Sequence, residues 1–531
     1  MGSDMNINAK QLPAYISSLL RADVYDHAVE NIQLIETHIS WVILTGPFAY
    51  KIKKPVNLGF LDFSTLEKRH FYCNEELRLN SRLAAAIYLK VIPITGSEDH
   101  AAFAGSGKII EYAIKMVQFP QQMQLDRMLA ASLLQTEHID ALAAMVAEFH
   151  QHTGVANKDI NYGSPEQIYH PIKENFILLQ QLLNDDTAIA QLTALESWSQ
   201  TTFKRLKPIL VQRKRDGFIR ECHGDLHLRN LVFINEKPVA FDCIEFDPEL
   251  RWIDSISDLA FLIMDLQDRQ QANFAQRLLN AYLEKTGDYA AVQILPFYLV
   301  YRAMVRAKVE AIRASQMASN SKPQDEAKQA CYGYLKLAQS YLHASTPMLI
   351  ITCGMSASGK STLTQPLVEK LAAIRVRSDV ERKRLFKSAH KSDSPETFNA
   401  GIYTPEATQK TYQHLAELAE QLLNADYPVI IDATCLKYEQ RNLFRQVAAR
   451  NTVPFVIVEF TAQPNTLRQR INSRKKEASD ADQSILEQQL LNWQALHKNE
   501  LPDVISINTE SSTEIDSLVN KITMLTSLQS Q

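Results

Sequence analysis

Apolar residues fall along this chain in three successive patterns. Over residues 31–60 they alternate with polar ones. Ile32, Leu34, Ile39 and Trp41–Leu44 lead to Thr45-Gly46-Pro47, a turn signal, and Phe48–Lys53 alternates again. Residues 65–85 read as a helix, with Leu66, Phe71, Leu77, Leu79 and Leu83 mixed among charges. Strand-like runs return at Leu89–Ile94 and Ile109–Phe119. Strands, one helix and more strands predict a small β-rich lobe.

From residue 122 to residue 215 the pattern is helical, as in Leu129–His152 and Phe176–Leu195. A strand-and-loop stretch at 218–248 interrupts it. Helices resume at 255–285 and 291–315, the polar run Ser315–Ala327 reads as a loop, and one more helix is expected over 328–344. The third pattern begins at Met348. Apolar strands Met348–Cys353, Ile374–Arg377, Val429–Asp432, Phe455–Phe460 and Val504–Ile507 alternate with helical stretches, which predicts a parallel sheet with helices on both faces. The fold class is therefore α+β followed by α/β. The expected divisions are a β-rich lobe over 1–118, a helical lobe over 119–345 and a parallel-sheet domain over 346–531.

Composition narrows the class. A chain of 531 residues exceeds what one core supports, and 46% hydrophobic with 22% charged residues is the balance of globular protein. The net charge of -4 argues against a surface that coats nucleic acid, while leaving room for a local basic site. The six cysteines form no Cys-x-x-Cys pair, which points to a reducing compartment and a cytoplasmic protein. No apolar run approaches the roughly 18 residues that span a bilayer, and the N-terminus lacks a secretory pattern, so no membrane partner is expected. The oligomeric state leaves no mark in these patterns.

Two constellations carry chemistry. Gly354-Met355-Ser356-Ala357-Ser358-Gly359-Lys360-Ser361, followed by Thr362, matches the phosphate-binding loop pattern and sits between an apolar strand and a helix. The glycines let backbone N–H groups turn around phosphates, Lys360 adds a point charge, and the Ser361 hydroxyl ligates Mg²⁺. Asp432 ends an apolar strand, where a carboxylate either holds the same ion or caps the following helix. Asp379 can accept a proton from a substrate hydroxyl, and Arg382 can grip an anion or lie on a solvated helix face. Arg468, Arg470 and Arg474 precede the polar stretch Lys475–Asp482, and such arginines meet phosphoryl charge or simply face water.

With Ser378-Asp379-x-x-Arg382, Gly401-Ile402-Tyr403 and Ile431-Asp432-Ala433-Thr434, residues 348–510 resemble the small P-loop kinases that include gluconate kinase, zeta toxins and the kinase module of phage polynucleotide kinase. The resemblance implies that Asp379 contacts or deprotonates the acceptor hydroxyl. It implies that Arg382, Arg470 and Arg474 serve the anion and the transferred group.

The second constellation is His223-Gly224-Asp225-Leu226-His227-Leu228-Arg229-Asn230, followed by a strand that ends in Asp242. Phosphoryl transfer to a hydroxyl needs a base and two oxygen ligands for Mg²⁺; Asp225 supplies the first, Asn230 and Asp242 the second. This order resembles aminoglycoside phosphotransferases and related small-molecule kinases, with a bilobal protein-kinase-like fold. In that family Asp254 and Asp258 fit the start of the next helix. The resemblance makes Phe48–Lys53 the strand whose lysine holds the nucleotide phosphates. Lys51 and Lys53 share a strand face and are both eligible, with Lys51 preferred. Glu75 or Glu76, the latter preferred, would pair with the lysine, and Lys115–Phe119 would form the hinge against adenine. No glycine-rich loop precedes the lysines, so Thr37-His38-Ile39-Ser40 would have to cover the phosphates.

The whole chain resembles bacterial fusions of an aminoglycoside-phosphotransferase-like domain with a P-loop ATP-binding domain. The resemblance implies ATP and Mg²⁺ as cofactors and two kinase modules that phosphorylate small hydroxyl-bearing acceptors. A nucleotide or RNA 5′-hydroxyl is a further acceptor class for the P-loop module. Two other readings stand beside it: a single active P-loop kinase with a regulatory or pseudo-kinase first domain, and an ATP-hydrolysing, toxin-like switch acting on a nucleotide, RNA or protein.

Overall fold

The computed structural model describes residues 12–59, 61–157, 160–343, 345–387, 402, 404–473, 483–511 and 514–529. Its contacts divide the chain into two compact units. One gathers 1–141, 152–171 and 207–262, the other 142–151, 172–206 and 263–531. Among the described residues no helix is long and apolar enough to cross a membrane.

The first unit is built on a six-stranded antiparallel sheet. β1 (Gln33–Glu36), β2 (Ser40–Leu44), β3 (Phe48–Lys53), β4 (Tyr88–Ser97), β5 (His100–Phe103) and β6 (Ile109–Val117) lie in the order β1-β2-β3-β6-β4-β5. Gly46, at φ +98°, supplies the left-handed residue that turns β2 into β3. The period of two then sorts β3 by face. Tyr50 and Ile52 pack with Trp41, Ile43, Ile92 and Ile94 on one side. Ala49 packs with Leu44, Cys73 and Ile114 on the other, the side to which Lys51 and Lys53 also belong.

That second face is covered by the helix Leu66–Ala84. Its N-terminus is capped by Thr65, whose hydroxyl accepts the Lys68 N–H. Cys73, Glu76, Leu79, Asn80 and Ala84 form its buried stripe, so the 3.6-residue period aims Glu76 at the sheet.

Two short pairings follow. β7 (Ile219–Glu221) pairs with β10 (Trp252–Asp254), and β8 (Leu231–Ile234) forms a hairpin with β9 (Lys237–Ala240). Asn235 and Glu236, both at positive φ, make the two-residue turn that suits the twist of a hairpin.

The second unit carries a five-stranded parallel sheet, as the alternating pattern predicts. β11 (Leu349–Cys353), β12 (Ile374–Arg377), β13 (Val429–Asp432), β14 (Phe455–Thr461) and β15 (Val504–Asn508) lie in the order β12-β13-β11-β14-β15. β11 and β13 are buried throughout, so both read as continuous apolar runs.

The division into units does not run at 345/346, because helices before that point join the parallel-sheet part. Helix Ala272–Thr286 lies along the edge strand β12. The buried Asn280 amide donates to Ala373 O at 3.0 Å and accepts from Arg375 N at 2.7 Å, pairing with the strand as a neighbouring strand would. Gln276 adds a bond to Ala373 O at 2.7 Å. The polar run 315–327 also differs from expectation. Ser321 caps a helix that begins at Lys322 with Pro323 in its first turn, where a missing N–H costs nothing.

Candidate active sites

In the first unit the two lysines of β3 converge on one carboxylate and then diverge. Lys51 Nζ donates to Glu76 Oε1 at 2.7 Å and to Asp242 Oδ1 at 2.5 Å, and Lys53 Nζ donates to Glu76 Oε2 at 2.6 Å and to Glu245. The Asp242 side chain is 47% exposed, whereas Glu76 and Glu245 are buried. Lys51 therefore faces the open side of the site. Lys53 is enclosed between two buried carboxylates and the Phe63 ring, which leaves Lys51 as the lysine nearer the open side. Burial works against both ammonium charges, but the carboxylates win and raise both pKa values. Burial likewise pushes the Glu76 carboxyl up, and Lys51 and Lys53 outweigh it and hold it at about 2. Glu245 moves upward, because burial there exceeds the pull of Lys53.

The loop from His223 to Asn230 is fixed by backbone bonds. The buried Asp258 carboxylate accepts from His223 N at 3.0 Å and Gly224 N at 2.9 Å. Gly224 sits at φ +87°, and a Cβ there would meet Leu250 O at 2.8 Å, so both conformation and space demand glycine. His223 Nε2 lies 2.9 Å from Phe241 O, and its Nδ1 accepts from Asp225 N at 3.3 Å. One donor and one acceptor suit a neutral imidazole, and burial lowers the His223 pKa accordingly. Asn230 Nδ2 donates to Asp225 Oδ2 at 2.9 Å, and Asn230 O accepts from Phe241 N at 3.0 Å. Asp225, Asn230 and the strand end that carries Asp242 are thus bonded into one frame. Asp254, near the same helix start, pairs with Arg213 at 2.7 and 2.8 Å.

Residues Thr37–Ser40 close on themselves. The Thr37 hydroxyl accepts from Ser40 N at 2.9 Å, and Thr37 N donates to Ser40 O at 2.9 Å. The Thr37 hydroxyl and the N–H groups of Thr37, Ile39 and Ser40 are spent within the turn, whereas the buried Ser40 hydroxyl has no hydrogen-bond partner among the described residues. At the expected hinge, β6 continues through Lys115 to Val117, and Gln118 Oε1 accepts from Thr45 N and Gly46 N.

In the second unit β11 runs into the phosphate-binding loop. Gly354 at φ +142° has Phe460 O where a Cβ would stand, at 2.4 Å. Lys360 Nζ donates to Gly354 O at 3.0 Å and Met355 O at 2.7 Å. Burial lowers its pKa against the pull of Asp432 and Asp379. The Ser361 hydroxyl donates to Asp432 Oδ2 at 2.8 Å. Asp432 does not cap the next helix, Tyr438–Arg450, whose N-cap is Lys437. A hydroxyl and a carboxylate side by side at the loop's helix suit a hard cation such as Mg²⁺. The loop suits a phosphate tail on a separate ground: the buried Ser358 hydroxyl has no hydrogen-bond partner among the described residues.

The remaining candidates are placed as follows. Asp379 lies in the first turn of the helix Ser378–Lys387, next to β12. The Arg382 guanidinium, expected to grip an anion, is buried and donates to Ile402 O at 2.9 Å and Thr408 Oγ1 at 3.2 Å, so it braces the fold. Arg470 reaches the loop, donating to Ala357 O at 3.4 Å and to Thr509 Oγ1 at 2.9 Å. Arg474, Gly401, Tyr403 and the whole polar stretch after Arg474, residues 475–482, lie outside the described residues.

Three contributors were not singled out from the sequence. Glu245 follows Asp242 by three residues, the only local hint of its pairing. Gln489, on helix Gln483–Asn492, accepts from Ser356 N at 2.8 Å and donates to Ser356 Oγ at 2.9 Å. Arg377, at the end of β12, lies 3.9 Å from Asp432.

Comparison with known proteins agrees with this division of chemistry. The model of a phosphotransferase enzyme family matches residues 74–295, and that of an AAA domain matches 349–496. An uncharacterised protein of Mycobacterium tuberculosis (strain ATCC 25618 / H37Rv), Rv2004c, is 30% identical over 454 residues, covering 86% of this chain and 88% of its own. Its counterpart in Mycobacterium bovis, Mb2027c, matches equally. Among solved structures, the amicoumacin kinase hAmiN in complex with AMP-PNP, Ca²⁺ and Ami is 15% identical, covers 58% of this chain and 88% of its own, and has a TM-score of 0.38. A gluconokinase from Sinorhizobium meliloti 1021 is 15% identical, covers 35% and 95%, and has a TM-score of 0.26.

Proposed function

The chain belongs to the family that joins a phosphotransferase-type domain to a P-loop kinase-like domain, and from that premise we propose that it is a two-site kinase moving the γ-phosphoryl of ATP to hydroxyl groups of small acceptors. The observation that carries the reading is the pair of complete frames: Lys51, Asp225, Asn230 and Asp242 in one unit, and Lys360, Ser361 and Asp432 in the other. In the first, Lys51 holds phosphate oxygens while Asp225, steadied by Asn230, accepts the proton of the acceptor hydroxyl. In the second, Lys360 exchanges the carbonyls of Gly354 and Met355 for phosphate oxygens, and Asp379 is the candidate base. Mg²⁺, when bound, neutralises phosphate charge. Asn230 and Asp242 would hold it in one site, Ser361 and Asp432 in the other. The arginines near the P-loop keep a nucleotide or RNA 5′-hydroxyl within its acceptor range.

A screen of labelled ATP against sugars, nucleosides, aminoglycosides and RNA 5′-ends tests the proposal. Asp225→Ala and Lys360→Ala should each abolish a different activity. Loss of every activity in either variant would overturn independent catalysis. The self-closed turn at Thr37–Ser40 favours a second reading, a nucleotide-blind first module, and under it Asp225→Ala leaves all turnover intact.

A further inference from the structure

Helix Ala272–Thr286 does more than shield the edge of the parallel sheet. Near its C-terminal end the Glu284 carboxylate is gripped by two arginines of β12. Arg377 Nη1 lies 2.8 Å from Oε1, and Arg375 Nη2 lies 3.5 Å from Oε2. Each arginine then reaches the phosphate-binding machinery from a different side. Arg375 Nη1 donates to Ser361 O at 3.4 Å and to Thr364 Oγ1 at 3.3 Å, behind the first turn of the loop's helix. Arg377 Nε lies 3.9 Å from Asp432 Oδ2, the oxygen that also accepts the Ser361 hydroxyl.

We infer that Glu284 is a positioning residue of the P-loop site, holding Arg377 where its guanidinium meets the transferring phosphoryl group. The inference rests on the P-loop module being a phosphoryl-transfer site. It adds a component from the stretch matched by the other family, since Glu284 falls within residues 74–295.

Charge and geometry support it. The Arg377 side chain is 18% exposed, so it is neither sealed in the core nor free in solvent. Burial opposes its charge, and Glu284, Asp432 and Asp379 together outweigh burial and raise its pKa. Without Glu284 the guanidinium would have Asp432 as its strongest partner and would compete there with a bound cation. With Glu284 it is held at one fork and can present the rest to an oxyanion. A long side chain fixed at one end loses little further freedom when phosphoryl charge develops, which is what electrostatic stabilisation of a transition state requires.

The test uses the full chain carrying Asp242→Asn, which silences the metal site of the other module. Two quantities are read: affinity for MgADP with and without aluminium fluoride, a mimic of the transferring phosphoryl group, and the ATP turnover that Lys360→Ala removes. Glu284→Gln should weaken the fluoride complex about ten-fold or more while leaving MgADP within about two-fold. It should lower kcat by a similar factor of about ten with KM for ATP nearly unchanged, and Glu284→Asp should restore part of both. Arg277→Ala removes an ion pair to Glu369, 3.1 Å long, on the same helix and should change neither. The inference fails if Glu284→Gln binds the fluoride complex as the parent does, or if Arg277→Ala loses as much. It also fails if the parent does not distinguish the fluoride complex from MgADP. Absence of Lys360-dependent turnover in the parent would instead overturn the two-site kinase, and the binding comparison would still decide the role of Glu284.

Discussion

At the residue scale, Lys51 and Lys53 show how two identical side chains on one strand face acquire different surroundings. Both touch Glu76, yet only Lys51 also meets the half-exposed Asp242. Lys51→Ala should therefore cut the turnover of the first site by about 100-fold or more with a modest loss of stability, because Lys53 still neutralises Glu76. Lys53→Met should do the reverse. It strands the buried Glu245 carboxylate and should cost about 3 kcal/mol in denaturant unfolding. Glu76 adds a pH dependence. Its folded pKa of about 2 lies below the unfolded 4.5, so its contribution is complete above 4.5 and disappears as pH falls toward 2. The stability gap between the parent and Glu76→Gln, followed by urea unfolding, should narrow over that interval. Spacing alone left the two lysines open, because residues two apart on a strand are equivalent until a tertiary neighbour distinguishes them. Glu245 and Asp242 are that neighbour, and they lie 192 and 191 residues away.

At the element scale, what was legible is what is local. The P-loop pattern is one contiguous peptide of glycines, lysine and serine, and β11 and β13 are apolar runs buried throughout, while β14 is buried except at Glu459 and Thr461. The helix Gln483–Asn492 is the opposite case. Its sequence is polar and unremarked, yet Gln489 occupies the Ser356 amide that a phosphate would seek. Displacing a neutral hydrogen bond costs about 0.5–1.5 kcal/mol net, so Gln489→Ala should tighten ATP binding at the P-loop by about three- to ten-fold, measurable by titration calorimetry. Arg382 is the same case in reverse. Its motif matches an anion-gripping pattern, but Ile402 O and Thr408, 20 and 26 residues on, claim the guanidinium first.

At the scale of the whole molecule, the order of modules was legible and the seam between them was not. Periodicity changes at Met348, but β12 is an edge strand whose cover comes from Asn280, on a helix 93 residues earlier in the chain. A fragment cut at 346 keeps every loop residue and loses Gln276, Asn280 and Glu284. Its melting temperature should fall by several degrees, about what one or two kcal/mol removes from a domain of this size, and light scattering should show self-association through the bared strand. That shielding helix also bears on descent. A lineage that split the two halves at this seam would inherit an adhesive rim on one product, so selection for solubility alone can keep the halves joined. The union would then outlast either chemistry, and a relative that has lost one catalytic frame should still carry the disused half as a scaffold.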